Sequence, residues 1–238
     1  MTYGKHPEVI VPRLALDWAE YLHYLYLPVW MAGEAGLRLP ERLEFLRHPI
    51  NVACAQEHQR RGGYKWLDDS YIYVTARRGY ATPGNPLNRP GWHCDGFGTD
   101  DVNYIWSDAF PTRFAVGDFG AVSEDHVLSA KHFDALCGAA IGYGGQFDYH
   151  AGSIVLYDAE PGALYRLDPF VVHSTPIIPA PGGERSFLKI SFSHDKYNLR
   201  GNSHNYLFDY GWHMWDRAEV RNDPAYAGGD AGPQEVAA

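Results

Sequence analysis

At 238 residues, with 45% hydrophobic and 21% charged side chains, the chain is long and apolar enough for one sizeable core, and it reads as a single globular domain over about 1–224. No apolar run approaches the roughly 18 residues a membrane helix needs, and Met1 to Pro12 lack the order of a secretory signal. The three cysteines form neither a CxxC nor an even framework, so a reducing cytoplasm is the expected compartment, and a net charge of −9 argues against nucleic acid and for a small-molecule substrate.

From Arg13 to Trp30 the apolar residues Leu14, Leu16, Trp18, Tyr21, Leu22, Leu25 and Tyr26 recur near helical spacing, and Pro28 marks the end of the pattern. This predicts a helix. A second, short one is predicted from Pro40 to Arg47, where proline suits the first turn. Beyond Tyr71 the texture changes. The runs 71–75, 92–95, 103–106, 114–116, 153–157, 163–167, 171–175 and 186–192 are short, rich in aromatic or β-branched residues and separated by Gly and Pro, which predicts antiparallel strands. One helix interrupts them at Ser123 to Leu136, with Ser123 as its cap and Val127, Leu128, Phe133 and Leu136 as its apolar face. Helices at about 13–47 ahead of a β core at about 71–195 predict a mainly β jelly roll or related barrel, and the tail from about Ala225 is expected to be disordered.

Within this pattern, Gly91-Trp92-His93-Cys94-Asp95-Gly96 offers an imidazole and a carboxylate two positions apart. On a strand, residues i and i+2 share a face, so His93 and Asp95 can bind one ion together while Cys94 faces away. A third ligand completes a two-histidine, one-carboxylate facial triad, the arrangement of non-haem Fe(II) oxygenases. His173, in Val171-Val172-His173-Ser174-Thr175, is the candidate; His150 and His194 are alternatives that no arginine follows at the right interval within a β-patterned run.

The set His93, Asp95, His173 and Arg185 resembles the HxD…H…R signature of the Fe(II)/2-oxoglutarate-dependent dioxygenase superfamily over roughly Tyr71 to Asp195. That family's fold is a cupin-like double-stranded β-helix, and an arginine follows its distal histidine by about ten to twelve residues. Here 185 − 173 = 12, with Pro179-Ala180-Pro181-Gly182-Gly183 as the intervening turn. The resemblance implies Fe(II) on His93, Asp95 and His173, 2-oxoglutarate as cosubstrate with Arg185 on its distal carboxylate, and O2 as oxidant. The expected reaction is hydroxylation with release of succinate and CO2. The family's R-x-S pattern is replaced by Arg185-Ser186-Phe187, so Tyr71 or Tyr73 is the expected hydroxyl partner of that carboxylate, and Lys189, on the strand face of Arg185, is a second cation candidate.

Trp92 and Phe97 flank the ligands, and with Tyr104 they are the expected walls of a substrate cavity. Two other readings fit the same residues. A cupin-like metalloenzyme would bind the ion without 2-oxoglutarate, and a non-catalytic jelly-roll binding module would hold His93, Asp95 and His173 far apart.

Overall fold

Short runs of aromatic and β-branched residues fold into ten strands in the computed structural model, which describes residues 2–96, 99–123, 125–142, 146–149 and 152–216. They are β1 (Glu8–Val11), β2 (Leu22–Trp30), β3 (Tyr71–Ala81), β4 (Val102–Ser107), β5 (Arg113–Val116), β6 (Gln146–Tyr149), β7 (Gly152–Asp158), β8 (Leu164–Leu167), β9 (Val172–Ser174) and β10 (Gly183–Ser193). Two α-helices, α1 (Arg47–Arg61) and α2 (His126–Gly142), and two 3-10 turns, Glu41–Leu46 and Lys65–Asp69, complete the described elements. The chain is mainly β with few helices, as its sequence leads one to expect.

The chain divides into two compact units, one formed by residues up to His23 with Ala76–Lys189, the other by Tyr24–Thr75 with the chain from Ile190 onward. In the first unit one sheet runs in the order β1-β8-β4-β10-β3 and a second in the order β6-β7-β5-β9. The pairings β1/β8, β4/β8, β5/β7, β5/β9 and β6/β7 are all antiparallel. Period-2 alternation then decides what each strand buries. Ile105 of β4, Tyr165 and Leu167 of β8 and Phe187 of β10 meet Phe114 of β5 in one apolar cluster between the sheets. Their neighbours Ala115 of β5, Val172 of β9 and Ile154 of β7 face the other way, onto Phe133, Cys137 and Ala140 of α2. Burying side chains of this size contributes about 1.5–3 kcal/mol each, so both faces of the second sheet are held.

The start of α2 lies two residues later than Ser123 predicts. Asp125 Oδ1 accepts from the backbone N–H of Val127 and of Leu128, both at 2.8 Å, while the Ser123 hydroxyl accepts from Asp125 N.

In the second unit the strand order is β10-β3-β2. The helix predicted from Arg13 to Trp30 is corrected here: Leu22–Trp30 is a strand, and no helix covers 13–21. Pro28 marks an edge strand, not a helix end, because β2 ends the sheet, where a residue without an N–H leaves no ladder bond unmade. Leu27 and Val29 then reach the core. The helix expected to end at Arg47 is a 3-10 turn that leads into α1, which runs to Arg61. Pro49 sits in its first turn, where proline is tolerated, and Gly62, at φ +73°, closes it by donating to His58 O. Leu43, Leu46, Ile50, Ala53, Ile72, Val74 and Phe192 are buried in this unit. No helix among the described residues is long and apolar enough to cross a membrane. The expectations for the tail from Ala225 and for Phe97 and His150 lie outside the described residues.

Candidate metal centre

His93 enters the first unit by a single rung. The segment 92–95, predicted as a strand, makes no ladder; its one pairing is an isolated antiparallel bridge between His93 and His173 of β9. The two residues exchange both backbone bonds, His93 N to His173 O and His173 N to His93 O, each at 2.9 Å. Such a doubly bonded pair holds its side chains opposite one another on one face, and the two imidazole centroids are 4.5 Å apart. Alternation still governs the segment. Trp92 and Cys94 point into the α2 cluster, and His93 and Asp95 point the other way. His173 faces inward with Phe114, its register partner on β5.

The three ligand atoms of His93, Asp95 and His173 lie within 4.8 Å of one another, a group that can hold a metal ion. Both histidines are aimed for it. His93 Nδ1 is 2.9 Å from Gly91 O and His173 Nδ1 is 3.1 Å from Val171 O. A carbonyl oxygen only accepts, so each Nδ1 carries a hydrogen and each Nε2 is turned toward the site, the arrangement typical of metal-binding histidines. Asp95 Oδ2 is 3.5 Å from His173 Nε2. Burial first, then the neighbouring His173, pushes His93 down to about 4, so its imidazole is neutral and ready to ligate at pH 7. Burial alone would raise Asp95, but the Lys189 ammonium and then His173 outweigh it and hold the carboxyl well below the usual range. The donor set of two nitrogens and one carboxylate on one side of a shared point fits a divalent ion with coordination positions left open.

Arg185, Phe187 and Lys189 share the inward face of β10. Arg185 is 1% exposed and is not a surface partner of the adjacent Glu184. Glu184 pairs instead with Arg78 at 2.7 Å and accepts from Tyr21. Every hydrogen-bond partner of Arg185 among the described residues is a neutral oxygen: Nε donates to Phe110 O at 2.8 Å, and Nη1 to Pro86 O at 3.2 Å and to Asn88 Oδ1. Burial pushes it down to about 10, partly offset by Asp108, and it remains a cation at neutral pH. Lys189 serves elsewhere: its Nζ donates to Asp95 Oδ2 at 2.8 Å. Nothing in the sequence marks Asn88, Pro86 and Phe110 as the cradle of Arg185, because the three come from loops far from it in the chain.

Of the expected cavity walls, Trp92 and Tyr104 lie among the described residues. Trp92 is 6% exposed and packs against Phe133 and Cys137 of α2, with the Arg113 guanidinium 5.6 Å above its ring. Tyr104 has the parity of Trp106, whose indole stacks on Trp18, whereas Ile105 faces the core between the sheets. Tyr104 is therefore on the far side of β4 from that core. In the second unit, the Tyr73 hydroxyl is engaged by its own neighbours, donating to Asp195 O at 2.9 Å and accepting from Tyr197 N at 3.0 Å, and Tyr71 stacks on its ring. His194, also in that unit, binds Asp69 O through Nδ1. All three cysteines are free, and burial pushes the Cys94 thiol up, which leaves it a small apolar side chain.

No protein-family model matches the chain, and no curated protein matches it in sequence. Among solved structures it is similar to EvdO2 from Micromonospora carbonacea var. aurantiaca, at 12% identity over 63% of this chain and 62% of that one, with a TM-score of 0.35. It is also similar to a bsmA homologue from Methylobium petroleophilum PM1, at 15% identity over 75% of this chain and 65% of that one, again with a TM-score of 0.35. The chain spans less than two thirds of the length of either structure.

Proposed function

We propose that the chain is an Fe(II)- and 2-oxoglutarate-dependent dioxygenase that hydroxylates a small molecule, with O2 as oxidant and succinate and CO2 as coproducts. The observation that carries this reading is a three-ligand site, His93, Asp95 and His173, together with a buried arginine on the inward face of β10 whose hydrogen-bond partners among the described residues are all neutral oxygens. A buried guanidinium bonded only to neutral oxygens is short of a counter-charge, and a dicarboxylate cosubstrate would supply one. The strand order supports the same reading. In the first unit the chain passes from β3 to His93 beside β9, then to β4, to β5 and β7, to β8, to β9 and to β10, moving between the two sheets as a jelly roll does.

Iron, when bound, would supply positions for the cosubstrate and for dioxygen. His93 and His173 would contribute nitrogen donors oriented by Gly91 O and Val171 O. Asp95 contributes the one anionic ligand. Arg185 would fix the distal carboxylate of 2-oxoglutarate through its planar donor fork. Phe114, Val171 and Phe187 supply the apolar interior that keeps bulk water from the reacting centre.

The test is an anaerobic Fe(II) titration with and without 2-oxoglutarate, watching for the weak visible charge-transfer band of the chelated cosubstrate. The band should appear in wild type, vanish in His173→Ala, and require far more 2-oxoglutarate in Arg185→Met. Tight Fe(II) binding without a band would favour a metalloenzyme of another kind, and absence of any metal binding would leave a binding module.

A further inference from the structure

We infer that Lys189 is a resident cation of the metal centre, which holds Asp95 in place while the site is empty of metal and opposes a divalent ion when one binds. This rests only on the metal-binding part of the function proposed above, not on the choice of cosubstrate. The ammonium is delivered from β10, on the face that carries Arg185 and Phe187, and Lys189 is 8% exposed. Its Nζ lies 2.8 Å from Asp95 Oδ2, and that same oxygen lies 3.5 Å from His173 Nε2. The carboxylate oxygen nearest a ligating nitrogen is thus already occupied by a positive charge.

Geometry fixes how close the two cations come. An ion bound to Asp95 Oδ2 at about 2.0–2.2 Å, the usual metal–carboxylate distance, lies no farther than about 5 Å from Nζ by the triangle rule. At that spacing the repulsion between a divalent and a unit charge exceeds what a tenfold change in affinity requires, and the flexible lysine stem returns only part of it by swinging away. In the metal-free protein the balance is reversed. The Asp95 side chain is only 19% exposed, and the ammonium 2.8 Å from its Oδ2 supplies the opposite charge beside the histidines. Lys189 therefore trades metal affinity for an ordered empty site. It acts through Asp95 and is a positioning residue.

The experiment compares wild type with Lys189→Met, Lys189→Gln and Lys189→Arg after chelator treatment, using Mn(II) calorimetry for affinity and thermal melting of the metal-free forms for order. Lys189→Met and Lys189→Gln should bind Mn(II) at least about tenfold more tightly while melting at lower temperature without metal. Lys189→Arg, which keeps the charge, should stay within a few-fold of wild type. A lysine that merely braces the strand would give the opposite sign, because a damaged site binds metal more weakly. A folded Lys189→Gln with Mn(II) affinity equal to or below wild type overturns the inference and leaves the metal site standing. Failure of wild type to bind Mn(II) at all overturns both.

Discussion

Acidification of the metal-free protein should remove a defined part of its stability, and His93 sets the amount. Burial, then His173, holds this imidazole at about 4 against an ordinary value of 6.5. Between those limits the unfolded chain takes up a proton that the folded chain refuses. The contribution of neutral His93 is therefore whole above pH 6.5, declines as pH falls, and is gone below about pH 4. At 1.36 kcal/mol per pH unit the interval from 6.5 to about 4 amounts to about 3 kcal/mol. For a chain of this length that is roughly 6–12 °C in melting temperature, at about 2–4 °C per kcal/mol. Asp95 does not blur the window: its carboxyl is held below its ordinary 3.8, so its contribution is present above that value and lost only at still lower pH. The assay is calorimetric melting of chelator-treated wild type and His93→Gln from pH 7.5 down to 4, because the glutamine has no proton to take up. Wild type should lose about 3 kcal/mol more than the variant over this range. Parallel curves, or a wild type that gains on the variant as pH falls, would refute the reasoning.

Saturating Mn(II) at about 100-fold over its dissociation constant should stabilise wild type by about 2.7 kcal/mol, and His173→Ala should show no such gain in a thermal-shift titration. Arg185→Met should weaken 2-oxoglutarate by roughly 100-fold in the charge-transfer titration, the loss of a charge-assisted pair, with Mn(II) affinity unchanged; an unaltered 2-oxoglutarate titration would release Arg185 from that role. Gly96, at φ +69°, follows Asp95, and a Cβ there would lie 2.7 Å from Asp101 Cβ. Gly96→Ala should cost about 1–3 kcal/mol in chemical denaturation and weaken Mn(II) binding as well. Trp92→Ala should cost about 3–5 kcal/mol through the α2 cluster. A melting curve unchanged in that variant, with substrate turnover altered, would put Trp92 back at a cavity wall.

The site was legible because period-2 alternation and a twelve-residue interval are local properties of the sequence. His93 and Asp95 do share a face, Cys94 does turn away, and Arg185 is inward and buried. The same parity assigns Trp92 to the side of Cys94, so its place against α2 could have been read from the residues, and proximity in sequence misled. The side on which Tyr104 lies was not legible, since which face of β4 looks inward depends on Ile105 meeting Phe114 and Phe187, a long-range fact. Pro28 was ambiguous in isolation: helix end and edge strand both admit a residue without an N–H, and only the strand order decides. Helix α1 was missed because its buried residues, Pro49, Ile50, Ala53 and Glu57, form a narrow stripe in an otherwise polar run; Arg60-Arg61 before Gly62-Gly63 was the available stop signal. Lys189 on Asp95 lay beyond reach, because a strand face says which residues point inward, not which of them touch.

The reciprocal backbone bonds between His93 and His173 have a bearing on metal choice. Two of the three donors stand on backbones paired by reciprocal main-chain hydrogen bonds, which set the spacing from which the imidazoles reach into the site. Asp95 stands outside that rung, between its neighbour Gly96 and the reach of Lys189. Exchanging this one donor for cysteine, glutamate or histidine would therefore change the softness and size of ion accepted while the other two keep their places. Metal preference at the candidate centre would thus be adjustable at a single position.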